Sequence, residues 1–304
     1  MIRRERGVAV ITAILIVAVA ASAATLMLAQ QSAMVDQAML ISSRAQADLY
    51  ARAGIDWARG VLAQDSRAVD SLDEAWAQPI AALPVERALV AGAIADEQGK
   101  FNLNNLVRDN QRSNPDISRF QALLRLLGLA PELADAVVDW IDENADLESS
   151  GGAEDAYYLS LAKPYRAANA PMAQVEELYR VRGFDAATVA KLRPYVSALP
   201  ENTLVNANTA SQPVLRAVLP AQVSSDAIAK FVQERGTKPA RSRDELAQRL
   251  QQQTTAALAA ADVKSDFFSV RVQVAQDEVE LSSEALLRRT DGRPPAMVWL
   301  RPRY

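Results

Sequence analysis

Between Asp139 and Asp155 the chain carries seven carboxylates, Asp139, Asp142, Glu143, Asp146, Glu148, Glu154 and Asp155, and no basic residue. Ser149-Ser-Gly-Gly152 falls inside this run, so the segment reads as a loop leaving a helix that ends near Trp140-Ile141. Carboxylates crowded in this way repel one another unless water or a cation lies between them. Asp142-x-Asn144-x-Asp146 has the one-three-five oxygen spacing that opens an EF-hand loop. The pattern then breaks. Leu147 stands where that loop needs Gly, the twelfth position is Ala153, and Glu154 comes one residue late. The segment is not an EF-hand. Two readings stay open here, a calcium loop of another design and a solvated acidic loop with no metal. Tyr157, Tyr158, Pro164-Tyr-Arg166 and Asn169 follow closely enough to fold the loop back.

Composition removes much other chemistry. There is no Cys, hence no disulfide and no thiol nucleophile, and no His, the commonest general base. A bound metal should therefore be hard and oxygen-ligated, because zinc sites need Cys or His. Ser-His and Cys-His catalytic pairs are excluded. The formal net charge of −4 argues against a strongly basic nucleic-acid binder.

The elements that must hold the acidic loop begin with a membrane segment. Val8 to Ala29 is an unbroken run without a charge, preceded by Met-Ile-Arg-Arg-Glu-Arg-Gly7. At the helical rise these residues span about 33 Å, enough for a bilayer core. The arginines hold the N-terminus in the cytoplasm, which leaves the bulk of the chain on the far side. Met34, Ala38, Ile41, Ala45, Leu49, Ala53 and Trp57 continue in steps of three and four, predicting one amphipathic helix to about Leu62. Residues 88–107 predict a hairpin, Ala88–Ile94 and Lys100–Leu106 joined at Asp96–Gly99. Phe268, Val270, Val272 and Val274 alternate with polar residues as a half-buried strand, with partners at Glu278–Leu287 and Met297–Leu300. From about Val107 to Asp262 the pattern is one of short helices. The expected class is α+β: a long N-terminal helix on a small antiparallel sheet, with a large all-helical domain inserted between strands. The divisions are 1–7 as leader, 8–29 as membrane segment, 30–106 as helix and first strands, 107–203 as the inserted domain with the acidic loop, 204–264 as a second helical module and 265–304 as the last strands.

A repeat runs through the helical part. Leu123-Leu-Arg-Leu-Leu-Gly128 and Asp135-Ala-Val-Val-Asp-Trp-Ile141 match Leu215-Arg-Ala-Val-Leu219 and Asp226-Ala-Ile-Ala-Lys-Phe-Val232. Glu177-Leu178 then matches Glu245-Leu246. The offset between matched positions falls from 91 to 68, so the first copy carries 23 extra residues, and these hold the acidic loop. Each copy looks like a helix-hairpin-helix or sterile-alpha-motif-like module.

The basic leader ending in Gly7, the apolar run from Val8 and the amphipathic stalk resemble type IV prepilin-like proteins. That resemblance implies cleavage by a prepilin peptidase between Gly7 and Val8, followed by methylation of Val8. The fifth mature residue, usually Glu in such proteins, is Thr12, a departure known in K-type minor pseudopilins. The stretch Asp139-Trp-Ile-Asp142, Gly152-Ala-Glu-Asp155, Tyr158, Pro164-Tyr-Arg166, Asn169, Glu177-Leu178, Val181-x-Gly183 and Val205-Asn-Ala-Asn-Thr-Ala210 also resembles the K-type minor pseudopilin (GspK) family of type II secretion systems. The resemblance implies a single-pass protein of the bacterial inner membrane, periplasmic in its bulk. It would sit at the pseudopilus tip with I- and J-type minor pseudopilins, above the major pseudopilin fibre. It also implies bound calcium, and the ligands carried over are Asp142, Asp146, Glu154 and Asp155, with Asp139 and Asn169 as further candidates. No enzymatic activity is expected.

Three alternatives stand beside it. A minor pilin of a type IV pilus or competence system shares the N-terminal features. Asn206-Ala-Asn-Thr-Ala-Ser211 is similar to helix-hairpin-helix DNA receptors, but its turn, Leu219-Pro-Ala-Gln-Val223, lacks the Gly that lets backbone N–H groups meet phosphate. A hydrolase without His or Cys would need a Ser-Lys or two-carboxylate site, and no Ser-x-x-Lys occurs.

Overall fold

A computed structural model describes residues 5–147, 149–291 and 293–303. Arg3 and Arg4 of the leader, and Glu148 of the acidic run, lie outside the described residues.

Helix α1 runs unbroken from Glu5 to Gln64. Its first part is apolar, with a mean hydropathy of 2.5, and Val8–Ser42 is exposed throughout. From Ala47 onward one face is buried by Ala47, Ala51, Ile55, Ala58 and Leu62. The stripe that announced the helix, including Met34, Ile41, Leu49 and Trp57, faces outward instead. Close packing on a strand selects small residues, and the larger apolar side chains are left on the free face. Gly54 marks a close approach: a Cβ there would lie 3.0 Å from Val272 Cγ1.

Under α1 lies a five-stranded antiparallel sheet: β1 (Ile80–Val85), β2 (Ala88–Asp96), β3 (Phe267–Gln276), β4 (Val279–Thr290) and β5 (Arg293–Arg303), neighbours in that order. The register pairs Ile94 with Val270 and Val90 with Val274 across β2 and β3. Along β3 buried and exposed residues alternate, so Phe268, Val270, Val272 and Val274 meet Ile55, Leu62 and Trp76 in one core. Full burial of each large side chain there is worth about 1.5–3 kcal/mol.

Residues 97–266 leave the sheet after β2 and return before β3, so strands adjacent in space are distant in sequence. The expected hairpin at 88–107 is therefore corrected. The partner of β2 in its hairpin is β1, joined at Glu86, whose φ of 52° makes the tight turn. Phe101-Asn102 instead pairs in parallel with Val196-Ser197. Phe101, Leu103 and Leu106 enter the core of the insertion, which thus begins near Glu97 rather than at 107.

The insertion holds two modules. The first contains α2 (Asn114–Leu126), α3 (Leu133–Ile141), α4 (Asp155–Leu159) and α5 (Ala186–Leu192). The second contains α6 (Gln212–Val218), α7 (Ser225–Glu234) and α8 (Arg243–Arg249). Their hydrogen bonds repeat. Asn102 Oδ1 accepts the Asn104 N–H at 3.1 Å, as Asn206 Oδ1 accepts that of Asn208 at 3.0 Å. Asn104 exchanges two bonds with the Met172 backbone, at 2.8 and 2.9 Å, and Asn208 does the same with Ala240 at 2.9 Å. Glu177 caps Ala173 N–H as Glu245 caps Arg241 N–H. The Asn-x-Asn pairs are the part of the repeat that apolar matching passed over. Each module closes with a parallel bridge, the second between Val205-Asn206 and Ala261-Asp262.

A polar knot joins the two bodies where the chain crosses. Asp96 Oδ2 accepts from Thr209, Asn206 and Ser265 side chains at 2.6–2.9 Å. Asp70 accepts the Ser265 N–H at 2.7 Å, and the Arg289 guanidinium bridges Asp70 and Asp65.

Candidate metal centre

Helix α3 brings Asp139 and Asp142 to the base of the acidic loop. Its apolar residues, among them Val137, Val138 and Ile141, are anchored in the insertion's core, which drags the carboxylates inward with them. Asp139 is fully buried, Asp142 is 2% exposed, and Glu154, just before α4, is 4% exposed. Charge at such depth is costly without compensation. Both Glu154 carboxylate oxygens are buried with no hydrogen-bond partner among the described residues. Burial first, then the charges of Asp139, Asp142 and Asp155, push the Glu154 carboxyl up to about 7.

The loop is closed by contacts from outside it. Ser149 Oγ donates to Asp135 on α3 at 2.6 Å and accepts the Gly151 N–H at 3.0 Å. Arg182 Nη1 donates to Gly152 O at 2.8 Å, with its guanidinium 5.0 Å from the Tyr157 ring centre. Tyr158, whose hydroxyl accepts the Arg182 N–H at 3.3 Å, packs edge-on to Trp140. Asn169, at φ 43°, donates through Nδ2 to Asn144 O at 3.2 Å. Its buried Oδ1 has no hydrogen-bond partner among the described residues.

The residues expected as ligands fall into two groups. Asp139, Asp142, Glu154 and Asn169 supply buried or half-buried oxygens, a donor set that suits a hard cation. Asp146 is exposed, with its N–H turned to Asn144 Oδ1 at 2.7 Å. Asp155 is half-buried, accepts the Ala167 N–H at 3.0 Å and pairs with Arg166 at 3.3 Å. Gly152 and Arg182, which shape the loop, had no signal in the acidic spacing.

A second acidic group, Asp65, Asp70 and Glu74, has an oxygen from each within 4.8 Å of the others. Arg289 already lies between two of its members, so this cluster belongs to the junction between the bodies.

Two family models, both described as type II secretion system (T2SS), protein K, match residues 99–201 and 205–270. This chain belongs to the type II secretion system protein K family. Within that family, type II secretion system protein K of Pseudomonas aeruginosa is 37% identical over 266 residues, 83% of this chain and 79% of the relative. The protein K of Aeromonas hydrophila is 36% identical over 224 residues, 68% of each chain. A chain in the crystal structure of the GspK-GspI-GspJ complex from the enterotoxigenic Escherichia coli type 2 secretion system superposes with a TM-score of 0.74 at 25% identity. The likeness covers 85% of this chain and 96% of that one. The α+β arrangement of long helix, sheet and helical insertion is thus the protein K fold.

Proposed function

We propose that this chain is a K-type minor pseudopilin that starts or caps the periplasmic pseudopilus together with I- and J-type minor pseudopilins. The observation that carries this reading is the likeness, over 85% of this chain and 96% of the other, to a chain of the GspK-GspI-GspJ complex. The apolar half of α1 anchors the protein once in the bacterial inner membrane, N-terminus in the cytoplasm and bulk in the periplasm. Its outward stripe, Met34, Ile41, Leu49 and Trp57, offers neighbouring subunits an apolar face. Gly7 and Val8 lie near the start of α1, where a prepilin peptidase would cut and Val8 would be methylated. Thr12 supports the tip position. Its hydroxyl is shared between Val8 O and Ala9 O of its own helix, at 3.1 and 3.0 Å. No carboxylate stands there to receive the terminal amine of a subunit above. The role is structural rather than catalytic.

The acidic loop is read as a structural calcium site. Asp139, Asp142, Glu154 and Asn169 would hold the ion, with Asp146 and Asp155 as the outer candidates. A bound cation would neutralise carboxylates that otherwise repel and would fix the loop between α3 and α4.

Intact mass of the chain from producing cells tests the processing: loss of residues 1–7 and one methyl on Val8 are expected. Retention of Met1, or a cut beyond Ala29, contradicts the prepilin reading. Calorimetry of the detergent-solubilised chain tests the ion. Calcium at about 100 times its Kd should add about 2.7 kcal/mol of stability through linkage. A melting curve indifferent to chelator returns the loop to a solvated segment.

A further inference from the structure

One contact in the loop is closer than any side chain would allow. A Cβ at residue 152 would lie 1.9 Å from Asp139 Oδ2 and 2.8 Å from its Cγ. Neither figure is compatible with two non-bonded atoms, and the group in the way is the terminal carboxylate of the Asp139 side chain, which is fully buried. The Gly152 backbone therefore lies directly on the Asp139 carboxyl group. Only two residues later the chain delivers Glu154, whose carboxylate feels the Asp139 charge. On the other side, the Gly152 carbonyl is held by Arg182 at 2.8 Å, and Arg182 is braced on Tyr157 of α4. Gly151 is tied back to α3 through Ser149 and Asp135. The segment is thus pinned from both ends while its middle passes over Asp139.

We propose that Gly152 is a positioning residue for the ion site: its missing side chain lets the loop lie on Asp139 and so sets the spacing of the Asp139 and Glu154 carboxylates. This inference rests on the calcium reading of the loop. Gly152 touches no ion itself and acts through Asp139. Any side chain at 152 must push the Asp139 carboxyl aside or lift the loop off α3, and either motion separates the donors.

The test is a double-mutant cycle on the full-length chain in detergent, with calcium as the probe. Gly152→Ala should weaken calcium affinity about tenfold or more, the usual scale for groups that orient ligands. In chelator the same variant should melt below wild type. Gly152→Ala placed in an Asp139→Ala background should recover that loss, because the atoms it strikes are gone. If Gly152→Ala alone fails to fold, the double variant should fold again, and its failure to do so overturns the proposal. Wild-type calcium affinity in Gly152→Ala, or equal losses with and without the Asp139 carboxylate, overturns the proposal and leaves the calcium reading standing. Absence of calcium binding by the wild type overturns both.

Discussion

Glu154 governs the response of the loop to acid. Its folded carboxyl is raised to about 7 from the ordinary 4.5, so the ion-free folded chain holds this proton more tightly than the unfolded chain does. The cost of ionising it is absent below about pH 4.5, grows as pH rises and is complete above about pH 7. Glu154→Gln is neutral throughout. In chelator, calorimetry should find its melting midpoint above wild type at pH 8 and level with it near pH 4; a parallel decline in both proteins would assign the effect elsewhere. The cluster of carboxylates was legible from their crowding in the sequence alone. Which of them are buried was not, because burial depends on Ser149 with Asp135, Asn169 with Asn144 and Arg182 with Gly152. Those pairs lie 14 to 30 residues apart and have no periodicity to betray them.

The elements divide into those whose period shows one face and those whose partner is remote. Strand β3 was readable because one side of it packs on α1 and the other does not, which produces clean alternation. The length of α1 was readable, but its buried face was not: alanines and Gly54 carry little hydrophobic signal yet make the contact. Gly54→Leu should force α1 off Val272 and lower stability by about 1–3 kcal/mol, the usual cost of overpacking, as read by thermal unfolding. An unchanged midpoint would mean that α1 is seated less tightly than the 3.0 Å approach implies. The segment after β2 misled because Lys100–Leu106 has a strand-like mixture of residues while its partner, Val196-Ser197, sits almost a hundred residues on. What holds that segment is Asn104, buried and bonded to Met172 and Leu199. Asn104→Ala leaves those backbone groups without partners and should cost about 2 kcal/mol or more. Denaturant unfolding that shows a loss below about 0.5 kcal/mol would contradict this role.

At the scale of the whole molecule, a helix-on-sheet body carries a two-module insertion, and the knot around Asp96, Asn206, Ser265 and Asp70 couples them. Asp96→Ala strands several buried donors at the crossing. Calorimetry should resolve two transitions in that variant and one in the wild type; a single transition in the variant would place the coupling elsewhere. The insertion was legible because strand patterns stood at both ends of a helical middle, but the knot, with Arg289, draws residues from five separate stretches of sequence. The tip assignment is the claim on which the rest depends, and co-purification tests it most directly. The full-length chain, tagged and co-expressed with the I- and J-type and major pseudopilins of its own system, should elute from detergent as one complex with both minor partners. Recovery of the chain without the I- and J-type subunits, or incorporated along the shaft of the major fibre, would contradict it.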